Sequence, residues 1–127
     1  MRVFAFNPHL SVILCHAWLR SGGKEIALKM AVDTGATFTM IPREAVQAMG
    51  CYPRAIRRSI DITTGSGIVR VPLITIPAFE SLGVSFADFE VVCHTLPAPS
   101  PIEGLLGLNF LTRAKAVINF ATNTLRV

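Results

Sequence analysis

Ile26, Leu28, Met30 and Val32 alternate with other residues through positions 25–32, and the alternation stops at an aspartate, Asp33. A period of two is that of a β-strand with one face on a core and the other turned away from it. An extended segment at residues 10–19 precedes it across Arg20-Ser21-Gly22-Gly23-Lys24, whose Gly-Gly pair suits a tight turn. After Asp33, residues 34–37 form a loop and residues 38–41 resume an extended, apolar path. A carboxylate therefore sits on a strand-loop-strand corner.

The rest of the chain continues in short pieces. Pro42 fixes a φ suited to a first helical turn, residues 43–49 are good helix formers, and Gly50 is a C-terminal stop. Residues 60–63 and 68–76 read as two strands meeting at Thr64-Gly65-Ser66-Gly67, with Pro72 marking an edge or a bulge. Residues 84–94 hold a further strand or pair. Pro97, Pro99 and Pro101 each lack a backbone donor, so residues 96–101 form a loop. Residues 102–107 return as a buried strand, 108–113 suit a short helix, and 117–120 with 125–127 make a closing hairpin. No solenoid repeat is present. At 127 residues the chain is one domain, 1–127, with a single core. Mostly short strands with one or two short helices predict an all-β barrel or sandwich.

Composition narrows the partners. Hydrophobic residues make up 51% and charged residues 16% of the chain, against roughly 25% charged in ordinary globular chains. Some apolar surface is expected to meet a partner. The longest apolar run, residues 11–19, is broken by Cys15 and His16 and is too short to span a membrane, so no membrane partner is expected. Asn7, Pro8 and His9 interrupt the leader-like start, and no small-x-small cleavage site follows. Cys15, Cys51 and Cys93 are odd in number and widely spaced, which points away from disulfides and towards the reducing cytoplasm. Net charge is +4 with a pI near 9.4, yet only Arg54, Arg57 and Arg58 cluster, and no aromatic side chains alternate with them. A solvated basic loop is the better reading, and no nucleic-acid partner is expected.

Asp33-Thr34-Gly35 is the candidate chemistry. Taken alone it reads equally as a turn in which Asp33 caps backbone amides and Gly35 supplies a positive φ. Its surroundings favour more: an apolar strand before it, a glycine-tipped hairpin about thirty residues on, and Leu105-Leu106-Gly107 near the C-terminus. In that order the chain resembles a retropepsin-like (retroviral-type) aspartic protease from about Val12 to Val127. The most specific string is Val32-Asp33-Thr34-Gly35-Ala36-Thr37, and the next is Gly104-Leu105-Leu106-Gly107-Leu108-Asn109-Phe110-Leu111.

That resemblance implies a small closed β-barrel active as a homodimer, each copy presenting one Asp loop at a shared axis. It implies an endopeptidase acting on an extended peptide or unfolded protein, with Asp33 of each copy activating water and with no metal or organic cofactor. Hydrolysis by carboxylates normally uses two of them, so the partner copy would supply the second. By the same resemblance Thr34 hydrogen-bonds across the axis, Gly35 lets backbone approach the carboxylates, and backbone groups of Ala36 and Thr37 meet substrate. Thr64, Gly65, Ser66, Gly67 and Ile68 correspond to a flap closing over the peptide, and Leu105, Leu106 and Gly107 to a brace beneath the Asp loop. Retroviral members interleave their chain ends in a dimer sheet. This sequence stops straight after its closing hairpin, so a differently built or weaker interface is expected.

Other readings remain open. A retropepsin-like dimerisation or peptide-binding module would hold a ligand without cutting it. A thiol hydrolase would use Cys15 or Cys93 with His16 or His94, but neighbours in a strand point to opposite faces and cannot pair. A Cys/His metal site lacks close ligand spacing. A phosphate cradle at Gly65-Ser66-Gly67 lacks a following helix start. Asp61 and Glu103 read as surface charges.

Overall fold

The alternating segment is a strand, Lys24–Val32, paired antiparallel with Ile13–Ser21. Gly22 and Gly23 turn between them at φ of 55° and 82°, a conformation that side chains with a Cβ resist. The computed structural model describes residues 1–50 and 56–127. Within them the order is β1 (Val3–Ala5), β2 (Ile13–Ser21), β3 (Lys24–Val32), β4 (Met40–Ile41), α1 (Arg43–Ala48), β5 (Ile56–Thr64), β6 (Gly67–Ser81), β7 (Val84–Cys93), β8 (Gly104–Leu106), α2 (Leu108–Arg113), β9 (Val117–Asn119) and β10 (Thr124–Arg126). Cys51 and Arg54, read above as a free cysteine and part of a basic loop, lie outside the described residues, as does the side chain of Arg57.

The larger sheet runs β2-β3-β8-β4-β7-β6-β5, and β2 also pairs with β6. That extra pairing closes six strands into a barrel and leaves β5 outside, which resolves the choice between barrel and sandwich. Arg20 on β2 spans the seam, bonding Glu25 on β3 at 2.5 Å and Glu80 on β6 at 2.7 Å. The closure brings inward faces together: Leu19, Met30, Ile74, Ile76, Phe79 and Phe110 are fully buried. Phe110, carried by α2, meets the rings of Phe79, Phe86 and Phe89 edge-on at centroid distances of 5.2 to 5.8 Å. Edge-to-face contacts of this kind suit the ring quadrupoles. They fix α2 against the barrel, directly after β8.

Several boundaries differ from the sequence reading. The first barrel strand begins at Ile13, not at residue 10. β6 does not stop at residue 76 but continues to Ser81. Pro77 lacks an N–H and leaves a gap between the pairs Ile76↔Phe89 and Ala78↔Ala87, yet the register on either side is the same. One missing donor therefore does not end a strand whose neighbours are both paired. The turn that follows uses Leu82 and Gly83 at φ of 54° and 72°. β5 likewise starts at Ile56, earlier than residue 60. Pro72 sits where expected: residues 67–72 of β6 pair only with β5, so β6 is an edge there. β1, not anticipated, pairs with β10 in a separate three-stranded sheet, β1-β10-β9. Among the described residues no helix is long and apolar enough to cross a membrane.

Candidate active site

Asp33 is the first residue beyond β3. Its N–H donates to Leu106 O at 2.9 Å and so extends the parallel ladder between β3 and β8 by one bond. The ends of two neighbouring strands thus hold the Asp33 backbone, while the residue as a whole is only half-buried. The loop then folds back on it. Gly35 N–H donates to Asp33 Oδ1 at 2.8 Å, and Ala36 N–H to Asp33 O at 3.3 Å. A Cβ built on Gly35 would lie 3.1 Å from that same Oδ1. Glycine here leaves the carboxylate uncrowded; its φ is not positive, so close approach and not a left-handed backbone explains it.

The remaining loop residues divide. Thr34 is exposed, and its hydroxyl makes no hydrogen bond among the described residues. Ala36 O accepts from Leu108 N–H at 2.8 Å, and Thr37 O accepts from Asn109 N–H at 3.1 Å. These two carbonyls tie the loop to the start of α2. Thr37 itself is exposed and Ala36 half-buried.

Beneath the loop the brace is built from a residue pair that the sequence reading did not single out. Thr39 is fully buried. Its N–H and its hydroxyl both donate to Asn109 Oδ1, each at 2.8 Å, and its hydroxyl oxygen accepts from Gly107 N–H at 3.1 Å. Asn109 Nδ2 donates to Glu90 O at 2.7 Å, tying the pair to β7. Gly107 is packed so closely that a Cβ would come within 2.7 Å of Ala36 O and of the Phe38 carbonyl carbon. Leu106 is fully buried and Gly107 buried. Leu105 differs: it is half-buried and lines the hollow at Asp33. The only signals for the missed pair were one threonine inside an apolar stretch and one asparagine at a helix start.

That hollow, about 430 Å³, is walled by Phe6, Leu10, Ile102, Leu105 and Phe120, and among the described residues Asp33 is its one charged lining residue. The β5–β6 hairpin is not among its walls. At the hairpin tip Thr64 Oγ1 donates to Gly67 O at 2.9 Å, Gly67 takes φ 123°, and Ile68 is 74% exposed.

The thiol reading weakens on burial. Cys15 is buried while His16 is exposed, as strand geometry requires. Burial pushes the Cys15 thiol up to about 11, against a weaker opposing hydrogen bond with Ser81. Cys93 is also raised, chiefly by burial. A thiol held protonated is a poor nucleophile. No group of three or more His, Cys, Asp or Glu side chains is placed to hold a metal among the described residues.

Residues 22–113 match the family model described as "gag-polyprotein putative aspartyl protease". Among solved structures, a retropepsin-like aspartic protease from Rickettsia conorii is similar at a TM-score of 0.71 and 22% identity, covering 98% of this chain and 86% of that one. At that identity the likeness is one of fold. No curated protein matches in sequence.

Proposed function

This chain belongs to the gag-polyprotein putative aspartyl protease family, and on that premise we propose that it is an aspartic endopeptidase whose active form is a homodimer with two Asp33 carboxylates at one site. The observation that carries the reading is the held yet accessible Asp33, whose backbone is locked to β8 and whose Oδ1 receives Gly35 N–H at 2.8 Å. That bond orients one oxygen and leaves the other for a ligand.

Two carboxylates brought close together cannot both ionise comfortably, so the pair retains one proton, the behaviour for which aspartic proteases are the standard illustration. The ionised member takes a proton from water as the water oxygen attacks the peptide carbonyl carbon. The protonated member gives its proton to the carbonyl oxygen, and the product is a neutral gem-diol. Collapse of the diol breaks the C–N bond, with a proton delivered to the leaving amine. The pair titrates as a unit, so neither role belongs to one copy. The exposed Thr34 hydroxyl, which has no hydrogen-bond partner among the described residues, suits a bond to the second copy. Ile68 at the tip of the β5–β6 hairpin suits contact with an extended peptide.

The test is Asp33→Asn, which keeps shape and removes the shared proton. Cleavage of a denatured-protein or peptide library should fall by at least about 10⁴-fold, with circular dichroism and solution mass unchanged. Undiminished cleavage in that variant would eliminate the mechanism. Binding of the library by the wild-type protein with no new termini would favour a module that holds peptide without cutting.

A further inference from the structure

A second hollow, of about 500 Å³, opens between β3, α1 and the loop of residues 94–103. Its walls are largely apolar: Ile26 and Leu28 of β3, Pro42 and Ala48 at the two ends of α1, and Leu96 and Ile102 of the loop. Ile102 also lines the Asp33 hollow, so the two share one wall. The loop is fastened at both ends. Thr95 Oγ1 accepts from Arg43 N–H at 3.2 Å and donates to Glu44 Oε2 at 3.1 Å. Glu103 N–H donates to Lys29 O at 2.7 Å, and its Oε1 accepts from Lys29 N–H at 2.9 Å. Between these anchors Pro97, Pro99 and Pro101 fix φ at alternate positions. A rim already ordered loses little freedom when a ligand enters.

The charge of this hollow is one-sided. Among the described residues its lining holds Glu44 and Glu103 and no lysine or arginine, although Lys and Arg outnumber Asp and Glu by 12 to 8 in the chain. Both glutamates are exposed, and neither forms an ion pair among the described residues. Each spends one carboxylate oxygen in the bonds above and keeps the other for a ligand. An apolar hollow with a few fixed polar groups is the ordinary form of a binding site. Its complement is a segment in which a lysine or arginine stands among apolar side chains: the apolar parts, including the stem of the basic residue, cover the walls while the cation meets a carboxylate. An acidic segment would be repelled.

We propose that this second hollow docks a lysine- or arginine-bearing apolar segment of the polypeptide substrate, adjoining the segment that is cut at Asp33. The proposal rests on the endopeptidase reading above and adds a chemical preference away from the scissile bond. Because the hollows share Ile102, one polypeptide reaches both. Docking there touches no reacting atom, so it strengthens binding equally before and during the reaction, lowering KM with kcat unchanged.

Binding is measured first in the Asp33→Asn chain, where nothing is cut. The probe is a fluorescein-labelled peptide of alternating lysine and leucine, compared with one peptide bearing glutamate for lysine and another bearing serine for leucine. The lysine–leucine peptide should bind tightest of the three. An exposed ion pair contributes up to about fivefold in affinity, so Glu44→Gln with Glu103→Gln, which keeps both acceptors and removes both charges, should weaken the probe at least threefold. Ala48→Lys, at an exposed position, places a cation in the groove and should do the same, with circular dichroism unchanged in both variants. Either variant binding within threefold of its parent overturns the proposal, because the probe then lies elsewhere, the Asp33 hollow included. In the wild-type chain, joining the lysine–leucine sequence to one end of a cleaved peptide should lower KM at least threefold, and the two glutamine substitutions should abolish that gain while leaving the unextended peptide unaffected. No gain at either end overturns the proposal while cleavage of the unextended peptide stands. A wild-type chain that binds the probe and cleaves no peptide sinks the endopeptidase reading, and the substrate role of the groove with it.

Discussion

Asn109 Oδ1 accepts two bonds from one residue, the N–H and the hydroxyl of Thr39, each at 2.8 Å. Thr39 is fully buried, so no water can replace either bond. Asn109→Ala would orphan two buried donors at about 1–3 kcal/mol each, and a loss of roughly 2–6 kcal/mol is expected in urea unfolding. Asn109→Asp keeps the acceptor but removes the donor to Glu90 O, and should lose clearly less. Equal losses for the two variants would show that the shared acceptor is not what matters.

Gly107 and Gly35 flank the same loop and should separate stability from activity. A Cβ at Gly107 meets backbone atoms of Ala36 and Phe38 at 2.7 to 2.8 Å. Backbone cannot swing aside, so Gly107→Ala should cost about 1–3 kcal/mol and reduce cleavage as the loop shifts. At Gly35 the nearest atom is Asp33 Oδ1 at 3.1 Å, with no positive φ to strain. Gly35→Ala should leave the unfolding midpoint nearly unchanged and still lower kcat, because the added methyl group crowds the carboxylate. Paired unfolding and kinetic measurements on the two variants check the contrast.

What the sequence made legible were features whose cause is local. The alternation of Ile26, Leu28, Met30 and Val32, the Gly22-Gly23 turn, and the helix starting after Pro42 each follow from neighbouring residues, and each stands where it was expected. The Asp33 corner was legible in the same way. The misses share a different origin. Leu82 turns at φ 54° with no sequence signal for it, and Pro77 sits inside a strand because both of its neighbours are paired. β1 is three residues long, too few to show a period, and its partner lies at the far end of the chain. Thr39 is satisfied by Asn109 Oδ1 and Gly107 N–H, and a single polar residue in an apolar run does not say which distant groups will satisfy it.

Ile68 is 74% exposed, so its side chain contributes little to folding. Ile68→Ser should therefore shift stability by no more than about 0.5 kcal/mol. If the hairpin closes over peptide, the lost apolar contact is worth about 1 kcal/mol, a roughly fivefold rise in KM with kcat little changed. Steady-state kinetics on a cleaved peptide decide it, and an unaltered KM would place Ile68 outside the substrate path.

Cys15 predicts an alkaline limit to stability. Its thiol is held up to about 11 by burial, against an ordinary value of 9.0. Above pH 9 the unfolded chain gives up this proton while the folded chain keeps it, so the unfolded state binds fewer protons and stability falls as pH rises. The contribution is fully present below pH 9 and is lost progressively towards pH 11, by about 2–3 kcal/mol in all. Cys15→Ala should be less stable at neutral pH, because packing is lost, but should show a shallower decline across that window. Subtracting the two unfolding curves between pH 8 and pH 11 cancels the other titrating groups, and a difference that does not change with pH would exclude the buried thiol as the cause. Alkylation at pH 7 should likewise leave Cys15 unmodified and cleavage intact, as expected of an enzyme that works through Asp33.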